Sequence, residues 1–236
     1  MLTLVKDNPA VTIRGLTKKF GNLTALDNIY AEIPGGRIIG LLGENGSGKT
    51  TLLKVLAGLY ADYDGDVEID GSRPSHITKA KVSYLPDKVR FTNEKTPEEV
   101  VRFYRTYFDD FSEEKCRTLL KRFGIAPEKP FKEMSKGMVE KMQLSLVMSR
   151  RARLYLLDEP LGGVDGNARE TVMDSILDNF DSESTMIVVT HHIHDMERLF
   201  DNIIVLREGR IVGSGECEDL MERTGKPLEE IVRSMK

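Results

Sequence analysis

The chain has 236 residues, enough for a full hydrophobic core, and its 40% hydrophobic and 31% charged content excludes a disordered or membrane-spanning polypeptide. The formal net charge of −4 argues against a general nucleic-acid binder, which carries a basic excess, but leaves room for a nucleotide site with local positive charge. Two cysteines, Cys116 and Cys217, are too few for a disulfide scaffold and point to a reduced, cytosolic protein.

Residues 1–11 contain Lys6, Asp7 and Pro9 and no apolar run, so no secretory signal is expected. Residues 11–14 alternate as a strand, and residues 24–33 form a second, ended by the turn Pro34-Gly35-Gly36. Residues 37–42 are apolar on both faces, as in a parallel sheet. The most apolar stretch, residues 38–42, is far short of the roughly 20 residues that cross a bilayer, so any work on a membrane requires a partner. A helix is predicted over residues 49–59, and short strands over 65–70 and 81–85.

The pattern becomes helical from residue 96 to about 149. Thr96-Pro97-Glu98-Glu99 combines a cap, a proline at the first position and acids at the positive end of the dipole. Val100, Phe103, Tyr104 and Tyr107 then fall on one face, and the aromatic run Tyr104, Tyr107, Phe108 and Phe111 reads mostly as core, with the remainder left for a groove that receives a partner's helix. Ser112-Glu113-Glu114 opens a second helix carrying Leu119, Leu120 and Phe123. Arg150, Arg151 and Arg153 read as a solvated helix end. The sheet resumes at residues 154–157 and 186–190; residues 203–206 and 210–212 flank a hairpin turn at Glu208-Gly209, and the tail from 218 is helical. His192 and His194 follow no trusted metal spacing and read as surface residues.

Two segments carry chemistry. Gly43-Glu44-Asn45-Gly46-Ser47-Gly48-Lys49-Thr50, with Thr51 behind it, fits the phosphate-binding loop and lies between a predicted strand and a helix. Its glycines let several backbone N–H groups turn inward, the helix N-terminus adds partial positive charge, Lys49 reaches the β- and γ-phosphates, and Thr50 holds Mg²⁺. The apolar strand Leu154-Tyr155-Leu156-Leu157 ends in Asp158-Glu159, where an ATPase of this kind places a magnesium carboxylate (Asp158) and a general base (Glu159).

With these segments in this order, the chain resembles the ATP-binding-cassette (ABC) family along essentially its whole length. Met134-Ser135-Lys136-Gly137-Met138 looks like the signature motif, whose usual form is Leu-Ser-Gly-Gly-Gln. Pro160-Leu161-Gly162-Gly163-Val164-Asp165 looks like the D-loop, Val188-Val189-Thr190-His191 like the switch strand, and Val82-Ser83-Tyr84-Leu85-Pro86-Asp87 like the Q-loop. Phe20 stands where the family stacks an aromatic on adenine.

The resemblance implies an α/β fold: a P-loop NTPase core with an antiparallel β subdomain and a helical insertion at about 88–150, all in one domain over 1–236. It also implies two ATPase subunits, identical or different, with ATP and Mg²⁺ between them. Ser135 and Gly137 would touch the partner's γ-phosphate, Asp165 would cross the interface, and His191 would meet the phosphate or attacking water. A separate transmembrane permease would hold the subunits on the inner face of the membrane, with no nucleic acid involved.

Three departures stand out: Asp87 in place of the Q-loop glutamine, Lys136 in place of a signature glycine, and methionines at 134 and 138. Asp87 can still ligate Mg²⁺ but cannot donate a hydrogen bond. A Ser-Lys-Gly-Met signature with an acidic Q-loop resembles bacterial exporters of the bacitracin and lantibiotic-resistance type. The chain also shows no long extension of the kind many sugar-importer ATPases carry, and export is the expected direction. The alternatives are a soluble ABC ATPase of the iron–sulfur-assembly type, or a partly degenerate member of a heterodimer.

Overall fold

The computed structural model describes residues 9–88, 91–92 and 95–235, and the reading of residues 1–8 lies outside them. Among these residues the strands form two sheets. One is antiparallel, in the order β2 (Leu23–Ile33), β1 (Val11–Phe20), β4 (Asp64–Ile69). The other runs β5 (Val82–Leu85), β6 (Leu154–Asp158), β7 (Thr185–Val189), β3 (Ile38–Leu42), β8 (Asn202–Arg207), β9 (Arg210–Glu216), and every pairing is parallel except the β8–β9 hairpin. This is the mixed α/β architecture that the resemblance implies, antiparallel sheet included.

Alternation along the parallel strands divides the interior in two. Ile39, Leu41, Leu154, Leu156, Ile187, Val189, Ile204 and Leu206 pack with α1 (Lys49–Leu56) and the antiparallel sheet. Tyr155, Leu157, Met186, Val188, Ile203 and Val205 join the opposite cluster, which contains α4 (Glu113–Arg122) and α5 (Lys136–Met148). Because both faces are covered, the strands are continuously apolar, which is why they were legible as parallel. Cys116 and Cys217 are both free and buried.

The boundaries differ from the sequence reading where glycine or a short polar element intervenes. β1 extends to Phe20 across a bulge at Gly15 (φ 66°), and α1 ends at Leu56, just before Gly58 (φ 67°). The reading passed over α2 (His76–Lys81), a short polar helix, and α6 (Gly166–Leu177). The tail is two helices, α8 (Cys217–Thr224) and α9 (Leu228–Ser234), separated at Gly225 (φ 65°) and Pro227. Helix α3 (Pro97–Tyr107) opens as expected: Thr96 accepts from the Glu99 N–H and Glu99 accepts from the Thr96 N–H.

Two readings are corrected. Phe103 and Tyr107 are 53% and 69% exposed, so part of the aromatic face of α3 meets solvent instead of the core. Arg150 is buried, not a solvated helix end, whereas Arg151 and Arg153 are exposed. Its Nε lies 3.0 and 3.2 Å from the two Asp110 carboxylate oxygens. Its Nη1 donates to the Val82 carbonyl (2.8 Å), its Nη2 to the Ala80 carbonyl (2.6 Å), and the guanidinium lies 4.3 Å from the Phe108 ring centroid.

Arg150 thus ties the segment after α3 to the start of β5 and the end of α5. Replacing it by methionine leaves the partly exposed Asp110 and two carbonyls without their donor, which should destabilise the fold by about 1–3 kcal/mol. The urea midpoint measures this; Arg150→Lys should rescue it only partly, since an ammonium lacks the planar fork.

Candidate functional site

Strands β3 and β6 flank β7, so the loop after β3 and the acids after β6 emerge side by side at the carboxyl edge of the sheet. Ligands of open α/β sheets bind outside that edge. Here it opens into a cleft of about 790 Å³. Phe20, Asn45, Gly46, Gly48, Lys49, Thr50, Thr51, Asp87, Asp158, Glu159 and His191 all line it.

The loop is shaped by two glycines. Gly43 has φ 143° and a Cβ there would overlap the Leu206 carbonyl oxygen. Gly48, the N-cap of α1, has φ 106° and a Cβ there would collide with the Ala25 carbonyl. No side chain caps α1 and its first turn holds no acid, so its N–H groups face the cleft without an internal anion. Ser47 does not line the cleft; its hydroxyl is buried with no hydrogen-bond partner among the described residues. Lys49 is nearly buried and donates to the Gly43 and Glu44 carbonyls at 2.8 Å each. Burial lowers its pKa, while Glu159 and Asp158 pull the other way.

Asp158 is 2% exposed, and among the described residues its carboxylate oxygens have no well-formed hydrogen bond, with the Thr50 hydroxyl close enough to act on them. Burial pushes its pKa up to about 6; the Thr50 hydroxyl opposes this, and the charges of Asp87 and Glu159 add to it. Two buried, unpaired carboxylate oxygens with a threonine hydroxyl and a second carboxylate nearby are the donor set of a hard divalent cation, so these residues fit Mg²⁺.

Glu159 holds a left-handed backbone (φ 54°), uncommon for a non-glycine residue, fixed by its N–H donating to Val189 O at 2.9 Å and its carbonyl accepting from the Gly162 N–H at 3.0 Å. Its Oε2 lies 2.9 Å from His191 Nδ1 and accepts from the His191 N–H at 3.3 Å. A carboxylate only accepts, so a hydrogen bond here requires the imidazole proton on Nδ1, which leaves Nε2 as the acceptor of a neutral ring. Phe20, 42% exposed, is held at the rim by Tyr60 (edge to face, 5.4 Å) and by Lys18 Nζ, 4.9 Å from its ring centroid.

The sequence reading missed Leu23, Thr24, Ala25 and the Glu208-Gly209 turn, which also line the cleft. The turn had been recognised, but its contacts had not: the Gly209 N–H donates to Ser47 O at 3.0 Å, and the Gly209 carbonyl accepts from the Asp27 N–H at 2.8 Å.

Ser135, Gly137 and Asp165 do not line the cleft. They form a separate surface. Ser135 caps α5 by accepting from the Met138 N–H at 3.2 Å, and Asp165 caps α6 by accepting from the Ala168 N–H at 3.1 Å. A Cβ on Gly137 would lie 2.8 Å from the Gly163 carbonyl, so the start of α5 rests directly on the segment leading to Asp165.

Residues 26–162 match the sequence pattern described as ABC transporter. The chain is 32% identical over 220 residues to an uncharacterized ABC transporter ATP-binding protein of Methanocaldococcus jannaschii, covering 91% of this chain and 80% of that one. It is 31% identical over 206 residues to the tungstate uptake system ATP-binding protein TupC of Peptoclostridium acidaminophilum, covering 85% and 96%. The fold matches a solved ATP-binding subunit of an ABC transporter with TM-score 0.84 at 22% identity, covering 96% of this chain and 99% of that one.

Proposed function

The chain belongs to the ABC transporter family, and we propose that it is the subunit that binds and hydrolyses ATP between two such chains to drive a separate membrane permease. The observation that carries this reading is the division of the predicted residues. Phosphate loop, carboxylates and histidine share one cleft, while Ser135, Gly137 and Asp165 lie on another surface. Two copies placed head to tail bring one chain's Ser135 surface onto the other's cleft.

In this reading Phe20 stacks on the base, and the loop N–H groups and the start of α1 hold the phosphates. Lys49 exchanges the Gly43 and Glu44 carbonyls for phosphate oxygens. Mg²⁺, when bound, neutralises phosphate charge, and Thr50, Asp158 and Asp87 would hold it. Glu159 accepts the proton of the attacking water, and His191, oriented by Glu159, presents Nε2 to that water as an acceptor, or to the phosphate as a donor when the imidazole is doubly protonated. Ser135 and the Gly137 N–H meet the γ-phosphate from the partner's side, so loss of that phosphate opens the pair.

No helix among the described residues is long and apolar enough to cross a membrane, so attachment is assigned to the permease. Its docking place is the groove of about 680 Å³ lined by Phe91, Phe103, Tyr104 and Tyr107. An amphipathic cytoplasmic helix fits such a groove. The experiment is affinity purification from gently solubilised membranes with mass spectrometry. A multi-span protein should co-purify, and replacing Phe103 and Tyr107 by serine should remove it without changing ATP affinity. Recovery with soluble partners alone would favour the iron–sulfur-assembly type of function instead.

For direction we propose export, on the Ser135-Lys136-Gly137-Met138 signature and the acidic Asp87. Uptake is the second reading, favoured by the similarity to the tungstate uptake protein; ATP-driven tungstate accumulation in vesicles containing the co-purified permease would establish it.

A further inference from the structure

Lys136 and Glu140 form a pair that the proposed reaction has not used. Lys136 is the first residue of α5, where an ammonium meets the positive end of the helix dipole and is disfavoured. Helices α3, α4, α8 and α9 all carry acids in the first turn; α5 carries none. Lys136 Nζ lies 3.5 Å from Glu140 Oε1, and the two side chains are unequally placed, 76% and 17% exposed. The other carboxylate oxygen, Oε2, is buried without a hydrogen-bond partner. The carboxylate presses on Gly163, where a methyl group would overlap both of its oxygens. Among the described residues a mostly buried carboxylate therefore leans on one solvent-side cation, next to the backbone that leads from Glu159 to Asp165.

We propose that Lys136 is a second cationic ligand for the γ-phosphate bound by the partner subunit, and that Glu140 is the counter-ion that holds it when that phosphate is absent. This rests on the two-subunit reading above. Surrendering Lys136 leaves Glu140 buried and uncompensated, so only a group with the charge of a terminal phosphate draws the ammonium across. ATP does so; ADP, lacking that group, does not. The exchange removes the cation from a carboxylate lying on Gly163, so the contact reports nucleotide state to the segment after Glu159.

The test is ATP-dependent dimerisation, followed by light scattering in the Glu159→Gln chain as ATP is titrated, with nucleotide affinity of the monomer and thermal melting measured alongside. Lys136→Met should raise the ATP concentration at half-dimerisation by about tenfold or more, the scale of a charge-assisted contact. Lys136→Arg should largely restore it. Monomer affinity should stay unchanged, because Lys136 does not touch its own chain's nucleotide. Glu140→Gln should act in the opposite direction, lowering the ATP needed, since the lysine is no longer held back. An unchanged midpoint in Lys136→Met, or equal weakening by both substitutions, overturns the proposal and makes the pair a structural one. Failure of the Glu159→Gln parent to dimerise with ATP removes the two-subunit reading, and the proposal with it.

Discussion

Glu159→Gln should lower steady-state ATP hydrolysis by at least about 100-fold, the scale of a lost general base, while leaving ATP binding intact. The substitution is nearly isosteric, and an amide oxygen can still accept from the His191 N–H and Nδ1 that now contact Glu159 Oε2. The left-handed backbone at 159 is held by main-chain bonds to Val189 and Gly162, so it should survive the change. What disappears is the basic oxygen that takes a proton from water. ATP then stays uncleaved between two subunits, and a dimer should accumulate on size exclusion with ATP and Mg²⁺ but not with ADP. Phosphate release near the parental rate would remove Glu159 from the role of base; loss of ATP binding would mean that the pair with His191 supports the cleft itself. Glu159→Asp separates charge from reach: it keeps a carboxylate but draws it back from His191, so hydrolysis should fall there too.

The parts of this molecule that were legible in its sequence are those in which a local pattern determines the geometry. The phosphate loop follows an apolar strand and opens a helix, and Gly43 and Gly48 take positive φ at places where a Cβ would strike Leu206 or Ala25. Asp158-Glu159 ends a strand buried on both faces, which fixes where the acids emerge. Contacts between distant segments were not legible. Arg150 looked like a solvated charge because its partner, Asp110, is 40 residues away. The Glu208-Gly209 turn was visible as a hairpin, but nothing local showed that its N–H would support Ser47. Tyr107 matched a core periodicity, yet among the described residues it remains exposed. Glu140 carried no signal, since its meaning comes from Gly163, beyond the next strand.

Asp158→Asn should have two effects of opposite sign. Without nucleotide or magnesium it should stabilise the chain above neutral pH. Burial, with the charges of Asp87 and Glu159, raises the Asp158 pKa from 3.8 to about 6, against the pull of Thr50. A carboxylate with a raised folded-state pKa favours the fold fully below its unfolded value, and that contribution is lost as pH climbs through the folded value. The parent therefore pays for an ionised, unpaired Asp158 above pH ~6, and an asparagine does not titrate. The variant's melting temperature should exceed the parent's at about pH 8, and the gap should shrink toward about pH 4. With ATP and Mg²⁺ the order reverses. The parent gains stability by binding them, while the variant, lacking the carboxylate, should gain little and hydrolyse ATP at least about 100-fold more slowly. A variant less stable than the parent at about pH 8 without metal would overturn the electrostatic account. Retained magnesium-dependent hydrolysis would move the metal-holding role to Asp87, which lines the same cleft and whose charge already acts on Asp158. Excess charge that is a liability in the empty cleft is what the nucleotide-bound cleft requires, so the stability lost at Asp158 reflects its fit to a cation.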